Sequence, residues 1–153
     1  MNAEELNIEL PNDYTVRLCV YLEQMLGKPF VWGETHCTAI VFGAIDAMYG
    51  TDYYKWHKET HNVTDKEKAI ELCADKETLK VFNDIGFMEI DFFSIKAGDV
   101  LYINKDEYEC CYVYSGSSFI SASIDGQVEC TNYSSIKHLL TNNNYKVFTI
   151  CHK

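Results

Sequence analysis

The stretch Lys28-Pro29-Phe30-Val31-Trp32-Gly33-Glu34-Thr35-His36-Cys37 constrains this chain more than any other. A loop punctuated by Pro and Gly and rich in aromatics runs directly into a cysteine, and an apolar helical run begins there. The spacing of Ile40, Val41, Ala44, Ile45 and Met48 places one apolar face on a helix from about Cys37 to Tyr49, with Gly50 as its stop. Small residues at Ala39, Gly43 and Ala47 suit close packing of this helix against a sheet. A thiol at a helix start lies at the positive end of the helix dipole, beside N–H groups that lack helical partners. Both features favour the thiolate, the nucleophilic form. A cysteine so placed is a candidate nucleophile, provided the rest of the chain supplies an acid and a base.

The chain has 153 residues, 47 % of them hydrophobic and 14 % aromatic, enough for one domain with its own core. Its formal net charge of -10 argues against general binding to nucleic acid or to anionic membranes, which needs clustered Lys and Arg. The first ten residues carry Glu4, Glu5 and Glu9, no basic residue and no following apolar h-region, so no signal peptide is expected. No apolar run approaches the roughly 18 residues of a membrane span. Synthesis in a cytosol, without a leader, is the expectation. The cysteines at 19, 37, 73, 110, 111, 130 and 151 are odd in number and lack a secreted framework spacing, which points to free thiols in a reducing compartment. With no CxxC pair, neither zinc nor any other cofactor is expected.

Residues 1–10 read as an acidic arm in which Leu6, Ile8 and Leu10 alternate with polar residues, a pattern able to add as a strand to a neighbour. Residues 11–153 read as a single domain. Leu18, Leu22, Met25 and Leu26 mark a first helix over Tyr14 to Leu26, closed by Gly27. Thr51 to Val63 has no clear period and reads as irregular. Thr64-Asp65-Lys66-Glu67 has the form of a capping box that opens a helix through Cys73, and another helix runs from Glu77 to Ile85 before Gly86. The second half consists of short strands at Val100–Ile103, Cys110–Ser115, Phe119–Ser123 and Gln127–Thr131, with helical turns over Ser134–Leu140 and a last strand at Tyr145–Cys151. Helices first and an antiparallel meander second define an α+β domain, with N-terminal helices packed on a small antiparallel sheet.

This layout resembles the papain-like NlpC-type cell-wall peptidase superfamily, and its small phage-tail-associated members in particular. The carrying residues are Gly27-Lys28-Pro29-Phe30-Val31-Trp32-Gly33, then His36-Cys37-Thr38, then Met48-Tyr49-Gly50-Thr51-Asp52 at the helix end. Ala97-Gly98-Asp99-Val100-Leu101 looks like the family's Gly-Asp turn before its first core strand, and Cys110-Cys111-Tyr112-Val113-Tyr114-Ser115-Gly116 like its second strand. Together these landmarks cover roughly residues 14–131. The resemblance implies a papain-like fold in which Cys37 stands at the nucleophile position. It also implies that Cys110 holds the place of the base histidine, Ser121 the place of the residue that orients that histidine, and His36 the place of the family's Asp. Phe30, Trp32 and His36 are candidate substrate-groove residues; the more common role of an aromatic pair such as Phe30 and Trp32 in a loop is to anchor it to the core.

The departures carry the functional expectation. A cysteine peptidase needs an imidazole to deprotonate its thiol and then to protonate the leaving amine, and a thiol at the base position does neither near neutral pH. His36 diverges from Cys37 at a helix start, His57 and His61 lie in the irregular stretch and reach the cleft only if that stretch folds over it, and His138 and His152 fall late in the chain. Two classes of function follow. In the first, the chain is a phage virion component of the tail or tail tip, built on an inactive NlpC-type domain and docked to other virion proteins. In the second, it is a cysteine hydrolase cutting peptide cross-links of peptidoglycan, with Cys37 as nucleophile and a base recruited from elsewhere; a small-molecule acyltransferase or amidase is a weaker variant. Tyr49, Tyr53, Tyr54 and Trp56 are open to two readings, a binding patch or a cover over one end of the sheet.

Overall fold

The computed structural model describes residues 6, 9–105 and 108–150. Helix α1 spans Tyr14–Met25 and buries Leu18, Leu22 and Met25, the positions that its spacing predicts. Helix α2, Cys37–Tyr49, has the expected boundaries, with Gly50 closing it in the left-handed region at φ 73°. Ten of its thirteen residues are buried. Gly43 serves the approach of α1 rather than of the sheet: a Cβ there would lie 2.1 Å from the Tyr21 hydroxyl, which donates to the Ile40 carbonyl at 3.2 Å.

The segment expected to be irregular contains helix α3, Tyr53–His61. Its start is capped from outside. The side chain of Asp52, next to it in sequence, makes no capping bond. Instead the Asp46 carboxylate on α2 accepts from the Thr51 hydroxyl at 2.6 Å and from the Tyr53 and Tyr54 amides at 2.8 and 2.9 Å. These amides are donors that a helix cannot satisfy internally, and a residue from another element meets them. Tyr49 and Tyr53 are core residues, so this aromatic set covers the core.

Helix α4, Lys66–Ala74, is capped by Asp65, which accepts from the Lys68 amide at 2.9 Å; the cap is therefore one residue later than the Thr64 capping box implies. Helix α5, Glu77–Ile85, buries Val81, Phe82 and Ile85. The strands are β1 (Met88–Ile90), β2 (Val100–Lys105), β3 (Tyr108–Tyr114), β4 (Phe119–Ala122), β5 (Val128–Thr131) and β6 (Asn144–Thr149). Helix α6, Tyr133–Asn142, begins at an Asn132 cap between β5 and β6. All pairings are antiparallel, in the order β1-β6-β2-β3-β4-β5. The fold is α+β as expected, but the sheet is not a plain meander, because the last strand lies between β1 and β2.

The sheet is covered on both faces. Val100, Tyr102, Cys111, Val113 and Ile120 join the core built by α1, α2 and α5. Leu101, Ile103, Tyr112, Phe119 and Val147 form a second core under Ile136 of α6. Strand β2 is thus buried on both sides, and its sequence is accordingly a continuous apolar run rather than an alternation. The turn before β2 is pinned by buried Asp99, which accepts from the Lys96 amide at 2.9 Å, while Gly98 takes φ 93°. Within residues 1–10, Leu6 is buried in the first core and its amide donates to the Ile85 carbonyl at 3.1 Å, and Leu10 packs against the same core. The arm is bound to its own domain at those points; residues 1–5, 7 and 8, and Cys151 and His152, lie outside the described residues.

Replacing Asp46 with Ala removes three acceptor contacts at once. The expected cost is about 1–3 kcal/mol in urea denaturation, with faster hydrogen exchange at the Tyr53 and Tyr54 amides than at amides of α1.

Candidate functional site

The loop over residues 28–36 is fastened at both ends. Thr35 donates to the Pro29 carbonyl at 2.8 Å and accepts the Val31 amide at 2.6 Å. The Phe30 amide donates to the Gly126 carbonyl, and the Val128 amide to the Lys28 carbonyl, which ties the loop to the β4–β5 turn. Gly33, at φ 83°, lies so close to Val63 that a Cβ there would be 3.0 Å from its carbonyl oxygen. This bracing sets Phe30 and Trp32 edge to face, with ring centroids 4.7 Å apart, on the wall of a cavity of about 280 Å³.

The cavity brings together every site residue expected from the sequence: Phe30, Trp32, His36, Cys37, Cys110 and Ser121 all line it. Cys37 is the first residue of α2, beside β3. Its thiol donates to the Glu109 carbonyl at 4.0 Å. The β3–β4 ladder stops at Val113↔Ile120, and beyond it the Ser121 hydroxyl donates to the Cys111 carbonyl at 2.7 Å. The same hydroxyl lies 3.6 Å from the Cys110 sulfur. Cys110 is in turn hydrogen-bonded to Cys37, so Cys37, Cys110 and Ser121 are consecutive members of one chain of contacts, far apart in sequence and joined by the packing of α2 on the sheet.

Their protonation differs from the expectation. Cys110, hydrogen-bonded to Cys37, favours a Cys37 thiolate, but the Cys111 thiol and burial oppose it and prevail, so the Cys37 thiol is pushed well above the ordinary range. Cys110 is likewise pushed up, first by its bond to Cys37 and then by burial. The helix-start argument for a thiolate fails here because the Cys111 thiol and the desolvation of a charged sulfur together outweigh what favours the charge. Among the described residues no imidazole hydrogen-bonds to Cys37.

Helix α3 brings two more histidines to the same cavity. The His57 ring lies 5.5 Å from His36, 4.8 Å from His61 and 4.7 Å from Phe42, centroid to centroid. His36 and His57 are 4 % and 5 % exposed. Burial, helped by neighbouring histidines, lowers His36 to about 4 and His57 to about 2. His61 is also lowered by burial, against the pull of Glu77, whose carboxylate is 3.8 Å from its Nε2. Of the two outcomes the sequence allows for His57 and His61, the less common one holds, since both line the cavity; the external cap that makes α3 is invisible in local sequence. His138 is exposed on α6. Among the described residues, no group of three His, Cys, Asp or Glu side chains is arranged to hold a metal ion. The six described cysteines are free thiols, and no described helix is long and apolar enough to cross a membrane.

Two further carboxyl groups complete the cavity's chemistry. Glu109 accepts from the Thr78 hydroxyl, and burial raises its pKa against that bond and a second from Tyr102. Glu129, at the β5 side, accepts from the Ser123 hydroxyl.

The fold and site thus define an α+β domain with a cleft in which buried thiols and imidazoles stand beside Lys66, Lys105, Glu77, Glu109 and Glu129. Residues 11–139 match the model of a family described as a domain of unknown function, DUF6950, and the chain belongs to that family. No curated protein matches the chain.

Two measurements follow. In a Cys19→Ser, Cys130→Ser background, which removes two exposed thiols, Cys37 alkylation read by peptide mapping rises about tenfold per pH unit from pH 6 to 8; a rate independent of pH over that range would mean a preformed thiolate. For the histidines, a pKa lowered on folding means that the unfolded chain binds more protons below about pH 6.5, so the stabilisation is complete above that value and is lost as pH falls. Stability therefore drops between pH 6.5 and 4. The drop is shallower in His57→Phe by up to about 1.4 kcal/mol per pH unit, measured by urea denaturation at several pH values.

Proposed function

We propose that this chain is a catalytically silent NlpC-type papain-like domain that binds through its cleft, and that it serves as a virion component of a phage tail or tail tip. One observation carries the silent reading: Cys37, Cys110 and Ser121 form a contiguous set in which a thiol stands where the resemblance calls for the base histidine. Two protonated thiols side by side offer neither a general base for attack nor a general acid for an amine leaving group. The cleft itself is intact, with Phe30 and Trp32 on its wall and about 280 Å³ of space, so binding survives the loss of chemistry. The virion assignment rests on the resemblance of the Gly27–Gly33 loop, the His36-Cys37-Thr38 junction and the Gly98-Asp99 turn to small tail-associated members of that superfamily.

The second reading, a working hydrolase of peptidoglycan cross-links, draws on His57 and His61, which line the same cavity as Cys37. Their burial speaks against it, because a His57 lowered to about 2 is a poor proton acceptor.

The deciding experiment incubates the purified protein with peptidoglycan and follows release of muropeptides by mass spectrometry. Wild type and Cys37→Ala are expected to be equally inert. Release by wild type that disappears in Cys37→Ala would establish the hydrolase instead.

A further inference from the structure

Of the six described cysteines, all free, Cys37 and Cys110 are the two that line the cavity. Both are partly exposed, whereas Cys73 and Cys111 are buried, and Cys19 and Cys130, though exposed, are not on its wall. Cys37 and Cys110 come from the start of α2 and the middle of β3, and their side chains are hydrogen-bonded to each other. Two further contacts fix where they meet. The Cys37 thiol donates at 4.0 Å to the carbonyl of Glu109, the residue that precedes Cys110. The Cys110 sulfur lies 3.6 Å from the Ser121 hydroxyl, which is itself anchored on the Cys111 carbonyl. Neighbouring sulfurs are the first requirement of a disulfide, and a cavity wall gives a small reagent a way to reach them. A cleft that only binds leaves this pair without a task.

We propose that Cys37 and Cys110 are a reversible dithiol, closed to a disulfide by a low-molecular-weight disulfide that enters the cavity, so that oxidation ties α2 to β3. The exchange runs in two steps. The Cys37 sulfur, having given up its proton, attacks one sulfur of the reagent, whose S–S bond breaks; one small thiol leaves with that proton, and Cys37 carries the other half as a mixed disulfide. Cys110 then loses its proton and attacks the Cys37 sulfur, expelling the second small thiol. Two protein thiols are oxidised and one small disulfide is reduced to two thiols. The protonation of the pair bears on both rate and equilibrium. At Cys37 the Cys110 contact favours the charge, but the Cys111 thiol and burial outweigh it; at Cys110 the bond to Cys37 and then burial oppose the charge. Closure is therefore slow near neutrality, because the thiolate is the attacking form. Strongly oxidising pairs owe their potential to a stabilised reduced form, so a pair without a stabilised thiolate makes a disulfide that resists reduction.

The test treats the reduced full chain with hydroxyethyl disulfide, the small uncharged oxidised form of mercaptoethanol. The protein is then unfolded in an alkylating reagent and its peptides are mapped by mass spectrometry. A bond joining Cys37 to Cys110 is expected, with fragment ions placing the alkyl group on Cys111, and dithiothreitol reopens it. Its rate of formation rises about tenfold from pH 7 to pH 8. In Cys110→Ser the reaction stops at Cys37 carrying one mercaptoethanol, whereas Cys111→Ser still closes the bond. Oxidised wild type unfolds at a higher urea concentration than the reduced protein, and Cys110→Ser shows no such rise. Should a variant not fold, the wild-type map and urea shift still decide the matter. Free thiols at Cys37 and Cys110 after Cys19 and Cys130 have reacted, a wild-type Cys37 left capped, a bond from Cys37 to Cys111, or an oxidised form less stable than the reduced one would overturn the proposal. None of these readouts depends on peptidoglycan cleavage, so muropeptide release sinks the silent reading alone and the two failures are separately visible.

Discussion

Helix α2 is buried on nearly every side, and the arrangement of the domain follows from that constraint. A helix that is apolar all round has no solvent face to offer. It must be covered by other elements, here α1 across Gly43, α3 beyond its C-terminal half, and the β3 face of the sheet. Asp46 is its single charged residue, and the carboxylate is used to start the neighbouring helix. Placing α2 places Cys37 at its first turn beside β3. Capping α3 from α2 then sets His57 and His61 on the same cavity, with His57 against His36. The cavity is the space left where these two consequences meet.

The same burial governs the chemistry. Thiols and imidazoles respond to desolvation in opposite directions on the pH scale but toward the same outcome, the uncharged form. Cys37 and Cys110 are held as thiols while His36 and His57 are held as neutral rings, on a cavity whose rim also carries Lys66, Lys105, Glu77 and Glu129. A cysteine protease cleft needs the reverse, a stabilised thiolate and imidazolium pair. At Cys37 the Cys110 contact favours the thiolate, but the Cys111 thiol and burial outweigh it, and among the described residues no imidazole hydrogen-bonds to the sulfur.

Much of this was legible in the residues alone. The bounds of α2, the turn at Gly98-Asp99 and the meeting of Cys37 with Cys110 and Ser121 are recoverable because they depend on strong local signals or on a resemblance that spans most of the chain. What escaped was nonlocal. Helix α3 has no apolar period and no cap of its own, since its cap is Asp46, seven and eight residues before the amides it meets. Strand β1 has three residues and exists only because β6 pairs with it. The neutral state of Cys37 depends on Cys111 and on burial, neither of which a helix-dipole argument contains. Leu6 looked like part of a free arm, yet it belongs to the core because Ile85 offers a carbonyl there.

The place of β6 within the sheet bears on how the chain reaches this form during synthesis. Strands β1 and β2 do not pair with each other; each pairs with β6, which is translated after the other described strands. Until Thr149 has left the ribosome, β2 keeps one open edge and β1 has no partner strand. The helices and β2–β5 can gather earlier, but closure of the sheet waits for the last segment, at the cost in loop entropy and folding rate that such long-range pairing carries. A nascent chain stalled before that point would display the unpaired backbone edge of β2 to whatever lies near it.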